Sequence, residues 1–249
     1  MAIFGSLVIK NEADRYLEAC LIHMRPFLDE LFVWDDQSDD DSVEIASQHG
    51  LVVVRPDDVP SWIEHEGKYR FAAWKQFERT IDPDESDWVL SFDADEFLVC
   101  MEDDFSDVRR KLEEATAYAD QHGKVGVVLP FPEIFGTKHR DTLMVRTDGL
   151  WDTIRGPRLF RYQSNAEWNL KPMGCGSEPT YVSKGTVSTQ NLGLTMLHLG
   201  YADPSGHAER HARYSELFDH GHNNKHIQSI ITQPTLVPWD GPTPTWRLD

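Results

Sequence analysis

The chain has 249 residues, with 42 Asp and Glu against 24 Lys and Arg, for a formal net charge of −18 at pH 7. Charge of this sign repels phosphate backbones and anionic lipid, which argues against a duplex nucleic-acid binder and a membrane-surface protein. A hydrophobic share of 40%, an aromatic share of 11% and eight tryptophans argue against disorder and are enough to build the core of one domain.

The charge is uneven. Residues 1–125 hold 30 acids and 12 bases, a net of −18, while residues 126–249 hold 12 of each. Acidity this local points to carboxylates with a task. Cys20, Cys100 and Cys175 lie far apart with no CxxC spacing, which fits a reducing compartment rather than a disulfide scaffold. The longest apolar runs are too short to cross a bilayer. The N-terminus has neither the basic region nor the apolar stretch of a secretory signal. The expectation is a cytoplasmic enzyme or binding protein.

Residues 3–9 read as a buried first strand. Asn11 offers a helix cap, and apolar residues from Ala13 to Leu31 recur at intervals of three and four, an amphipathic helix that Pro26 can kink. A second strand at 31–34 ends in Asp35 and Asp36. Asp41 or Ser42 can cap a helix over 43–49, and Gly50 can end it. A third strand spans 51–54, a helix 67–81 and a fourth strand 88–92. This alternation predicts an α/β fold with a mostly parallel sheet flanked by helices. Ligands in such sheets bind beyond the carboxyl ends of the strands, and two of these strands run straight into acids there.

A helix is expected at 105–121 and a strand at 125–129. Past residue 130 the pattern weakens, with short strands at 157–162, 180–183 and 193–198 and a helix near 207–218. From Gln233 the chain carries four prolines and two tryptophans and reads as extended and packed on the domain. The organisation is one domain in two halves, 1–130 and 131–232, with a tail over 233–249.

Asp93-Ala94-Asp95 is the sharpest motif. A turn at the strand end can bring both carboxylates to one place. Paired hard oxygens suit Mg²⁺ or Mn²⁺, which in turn can hold a diphosphate. The plain alternative is a solvated turn with capping acids.

Asp93-Ala94-Asp95-Glu96-Phe97, preceded by Asp87-Trp88-Val89-Leu90, resembles the metal-binding signature of family-2-like glycosyltransferases with the GT-A fold. Val8 to Ala13 resembles the family's first strand and Asn-Glu turn. Val33 to Asp40 resembles its second-strand segment, Gly156 to Arg161 its Arg-x-Phe-Arg strand, and Leu197 to Tyr201 a late His-x-Gly-Tyr element. The resemblance spans roughly residues 3–215. It implies a Rossmann-like GT-A sheet with a less regular C-terminal acceptor region. It also implies a metal-dependent hexosyltransferase that moves a sugar from a nucleotide-diphosphate donor, UDP-sugar first, to a hydroxyl on a glycan, protein or small molecule, with inversion.

The site residues follow from that resemblance. Asp95 is the leading metal ligand. Asp93 binds the metal through water or contacts the ribose, and His198 completes the shell. Asp36, with Asp35 behind it, receives the base or ribose, and Asn11 belongs to the same donor side. Arg70 and Lys75 are the basic residues of the helix before the metal strand, although Lys75-Gln76 departs from the family's Arg-Asn pairing. Glu178 is the first choice of base for the acceptor hydroxyl and Asp152 the second; Ser177 stands where related transferases have His. His207, His211, His220, His222 and His226 form no zinc spacing. Competing readings are a haloacid-dehalogenase-type phosphatase, whose Asp-x-Asp lies on the first strand, a carbohydrate-binding or scaffold protein on the same fold without turnover, and a transferase acting on modified DNA bases.

Overall fold

The computed structural model describes residues 1–101, 107–138, 142–148, 157–172, 178–182, 185–188, 192–217, 228, 230–232 and 234–245. The elements run β1 (Ile3–Ile9), α1 (Leu17–Met24), β2 (Glu30–Asp35), α2 (Ser42–Ser47), β3 (Leu51–Val54), α3 (Trp62–Ile81), β4 (Trp88–Asp93), β5 (Glu96–Cys100) and α4 (Val108–Gln121). They continue with β6 (Gly126–Val128), β7 (Ile134–Lys138), β8 (Thr142–Arg146), β9 (Leu159–Arg161), β10 (Thr186–Ser188), β11 (Leu194–His198), α5 (His207–Leu217) and β12 (Leu236–Pro238).

Seven strands form the main sheet in the order β10-β6-β9-β4-β1-β2-β3. β1 pairs parallel with β2 and β4, β2 with β3, and β6 with β10, while β9 lies antiparallel between β4 and β6. The expected α/β class with a mostly parallel sheet is therefore what the chain adopts. Period-two alternation divides each strand between two cores. Leu31 and Val33 of β2 join one with α1 and α4, and Phe32 and Trp34 join another with Tyr69, Trp74 and Phe77 of α3.

Several elements differ from expectation. α1 gives way at Arg25 to a 3-10 turn over Arg25–Phe27, with Pro26 in its first positions, so one long helix becomes a helix and a turn. Asn11 caps nothing: it sits at φ 53°, and α1 starts at Leu17 with no side-chain cap. α3 begins earlier than expected because Ser61 and Glu64 close a capping box. His65 then breaks helical geometry, and regular helix resumes at about residue 67. The Glu66 and Gly67 N–H groups turn aside to Pro172 O and Lys171 O at 2.7 and 3.0 Å.

Among the described residues, two small antiparallel sheets accompany the main sheet: β11 on β5, and β12-β8-β7. The β7–β8 hairpin and β5 were not expected. Residues 180–182 form a turn, and the strand comes later, as β10. In the described part of the tail, β12 pairs with β8, and the Trp239 N–H donates to Leu143 O at 2.8 Å. Cys20 and Cys100 are buried free thiols, and Cys175 lies outside the described residues. Among the described residues no helix is long and apolar enough to cross a membrane.

Candidate active site

Chain order reverses between β1 and β4, with β2 and β3 extending the sheet to one side and β9, β6 and β10 to the other. Open α/β sheets bind ligands at such a switch point. Ile9 at the end of β1 is level with Asp35, and Val8 with Asp93. Register alone therefore brings both acid-bearing strand ends to one crevice.

After β4 the chain turns through Ala94 and Asp95 into β5, whose partner β11 places His198 opposite Glu96. This sets His198 Nε2 3.4 Å from Asp95 Oδ1. Across the ring, Nδ1–H donates to the carboxylate of Glu133, which is fully buried. Arg15, in the turn after β1, stands 3.9 Å from Asp95 Oδ2. Burial opposes the Asp95 charge, but His198, Arg210 and Arg15 outweigh it and hold this carboxyl well below the usual range. Arg15 is itself paired with Glu12 at 2.8 Å, and burial pushes Glu12 up to about 7 against that pairing.

Gly200 completes this group. A Cβ there would stand 2.6 Å from both Arg210 Nη1 and His198 Nε2, and 2.8 Å from Asp95 Oδ2. A carboxylate, an imidazole and a guanidinium thus converge on a space that a side chain would fill.

A second ionic layer adjoins the first. Arg158, just before β9, pairs with buried Glu96 and lies 3.4 Å from Asp93 Oδ2. Burial works against the Arg158 charge, while Glu96, Asp93, Glu178 and Asp95 raise it. Glu178 is therefore within electrostatic reach of the arginine that faces Asp93. Glu96 also accepts from the Asp93 N–H at 3.1 Å, fixing the start of the turn.

At the end of β2, Asp35 is fully buried, with Oδ2 accepting from the Ser38 N–H at 3.0 Å. Its Oδ1 and the buried Tyr69 hydroxyl have no hydrogen-bond partner among the described residues. Asp36 pairs with Arg55 and accepts from the Trp62 N–H at 3.4 Å. Asn11 exchanges two hydrogen bonds with Asp39, at 2.7 and 3.0 Å, and ties the loops after β1 and β2 together.

Asp95 and His198 are thus brought together, with Asp93 and Glu178 close by around Arg158. Arg70 pairs with Glu66 at 2.9 Å. Lys75 is not brought in. It pairs with Glu78, which accepts from the Tyr162 hydroxyl, and Tyr162 follows Arg161, which faces Trp88 at the opposite end of β4. Asp152 lies outside the described residues.

Among the described residues no three His, Cys, Asp or Glu side chains are gathered as a ready metal site. Asp95 and His198 could supply two ligands beside the Gly200 cradle, a donor pair suited to a cation that takes its remaining ligands from diphosphate oxygens and water. Glu133, Arg15, Arg158 and Arg210 were not singled out in the sequence. Arg158 lies inside a quoted motif, whereas Glu133 and Arg210 carry no local signal, because only the fold brings them to residue 95.

No protein-family model matches the sequence. An uncharacterized glycosyltransferase of Rickettsia felis is 36% identical over 97 residues, which is 39% of this chain and 29% of that protein. One from Rickettsia bellii is 37% identical over 97 residues, 39% of this chain and 28% of that protein. Among solved structures, 4-diphosphocytidyl-2C-methyl-D-erythritol synthase aligns with TM-score 0.38 at 20% identity, covering 65% of this chain and 74% of that one. Glucosyl-3-phosphoglycerate synthase from Mycobacterium tuberculosis, solved with Mn²⁺, uridine-diphosphate and glucosyl-3-phosphoglycerate, aligns with TM-score 0.36 at 20% identity over 52% of this chain and 44% of that one. The chain spans under a third of the length of the curated relatives it matches, and those two are similar to it in sequence and named glycosyltransferases.

Proposed function

We propose that the protein is a metal-dependent glycosyltransferase that moves a sugar from a nucleotide-diphosphate donor, UDP-sugar first, to a hydroxyl acceptor with inversion. The observation that carries this reading is the convergence of Asp95, His198 and Arg210 on the Gly200 cradle at the end of a parallel sheet.

Asp95 and His198 would hold Mg²⁺ or Mn²⁺, with Asp93 reaching it through water or meeting the ribose. The bound cation supplies Lewis-acid stabilisation of the departing diphosphate. Arg15 and Arg210 bring two further positive charges to Asp95 from the β1 turn and from α5. Their role is to neutralise the diphosphate as its bond to the anomeric carbon breaks. Asp35, with its unpartnered Oδ1, and Asp36 line the nucleotide side. Arg70 and Asn11 hold that side's framework through Glu66 and Asp39.

Glu178 is the base. It takes the acceptor hydroxyl's proton while that oxygen bonds to the anomeric carbon and the diphosphate leaves from the opposite face. Asp152 is the alternative base. Residues 131–232 carry the acceptor side and residues 1–130 the donor side. The reading places the enzyme in the cytoplasm.

The test is a thermal melt with UDP in the presence and absence of Mn²⁺. Ligand at about 100 times its Kd stabilises the native state by about 2.7 kcal/mol. Wild type should show a Mn²⁺-dependent shift that Asp95→Ala abolishes. A shift unaffected by Mn²⁺, or one kept by the variant, removes Asp95 from the site.

A further inference from the structure

We propose that Glu133 is the positioning residue of His198, setting the ring so that Nε2 faces Asp95 and a cation held there. The inference rests on the reading of Asp95 and His198 as a cation site.

Glu133 is fully buried, and its carboxylate takes the Nδ1–H of His198. The acid engages Nδ1, so the other ring nitrogen, Nε2, is the one turned away from it toward a second partner. That nitrogen is the one 3.4 Å from Asp95 Oδ1. The backbone holds the pair as firmly as the side chains do. Glu133 bridges His198 directly, the His198 N–H donates to Pro132 O at 3.2 Å, and the Arg146 N–H donates to Glu133 O at 3.1 Å. Phe131 and Tyr201 flank the ring at 5.5 and 5.8 Å between centroids, Tyr201 edge-on. The imidazole is therefore fixed in tilt by aromatics and in tautomer by one acid. A buried carboxylate is costly to maintain. Behind metal-binding imidazoles, such an acid fixes the ring and strengthens the ligand.

The experiment measures Mn²⁺ binding to the nucleotide-free protein by the loss of the free-ion EPR signal. It uses wild type, Glu133→Gln, His198→Ala and the double variant. Glu133→Gln should weaken Mn²⁺ on the order of 10- to 100-fold and should have no further effect once His198 is Ala. Binding equal to wild type, or a loss that persists in the His198→Ala background, overturns the proposal. A second readout needs no folded variant at position 133. Nitrogen-15 shifts of His198 in wild type, assigned by their absence in His198→Ala and followed to a pH where the ring is neutral, should show the remaining proton on Nδ1; a neutral ring protonated on Nε2 overturns the proposal. Wild type that binds no Mn²⁺ overturns the cation-site reading itself, a result distinct from normal binding with an inert Glu133.

Discussion

Gly200 separates function from folding at the level of one methyl group. The atoms that an added Cβ would strike are the ends of three side chains, Arg210 Nη1, His198 Nε2 and Asp95 Oδ2. Side-chain ends can swing aside at little cost to the fold, but in doing so they leave the positions that the proposed cation and diphosphate would need. Gly200→Ala should therefore keep its melting temperature close to wild type and lose the Mn²⁺-dependent shift with UDP. Retained binding would show that the cradle is not where the ligand sits. Asp95 and His198, which the fold brings to 3.4 Å, could be singled out in the sequence because each lies in a short local motif beside an apolar run. Glu133 was not, since one acid in Pro132-Glu133-Ile134 has no periodicity and acquires meaning only through residue 198. Lys75 shows the converse: its helix was read correctly, but the face and end that it occupies were settled by Glu78 and Tyr162.

Elements with a clear local pattern were the readable ones. β1 to β4 are apolar runs bounded by polar turns, and parallel pairing through intervening helices follows from that alternation. β9 and β11 fall within the strands expected at 157–162 and 193–198, whereas β5 escaped because an antiparallel partner far along the chain, β11, defines it. The join between α1 and β5 is a tie of this kind. The His23 Nε2–H donates to Leu98 O at 2.7 Å, with Phe27 and Phe97 against the ring. Burial lowers the His23 pKa from its usual 6.5, and the bond to Leu98 only partly restores it. The unfolded chain therefore binds a proton below 6.5 that folded His23 resists. The stability this confers is complete above that value and is lost as pH falls through the folded pKa. Urea midpoints measured from about pH 8 to 5 should fall less steeply for His23→Gln than for wild type. Parallel profiles would mean that His23 takes up its proton without leaving Leu98.

At the scale of the molecule, the charge imbalance and the sheet order lead to the same expectation. Residues 1–130 carry the whole −18, and they also lack the strand that lies between β4 and β6. β9 fills that gap, and the arginines around it answer the acids of the first half. Arg158 pairs with Glu96 and faces Asp93, and Arg161 pairs with Asp120 and lies over the Trp88 ring at 5.4 Å. The acids that made the first half conspicuous are thus partly neutralised by the second half, through one short antiparallel strand. The proposed donor and acceptor halves should then be regions of a single cooperative unit. Far-UV circular dichroism and tryptophan fluorescence of the full chain should report one coincident urea transition. A fragment of residues 1–130 should show no cooperative transition, because β4 and β6 have lost their common partner and Glu96 is left buried without its cation. Two separated transitions in the full chain, or a cooperative melt of the fragment, would mean that the halves fold independently and that β9 docks on a sheet already formed.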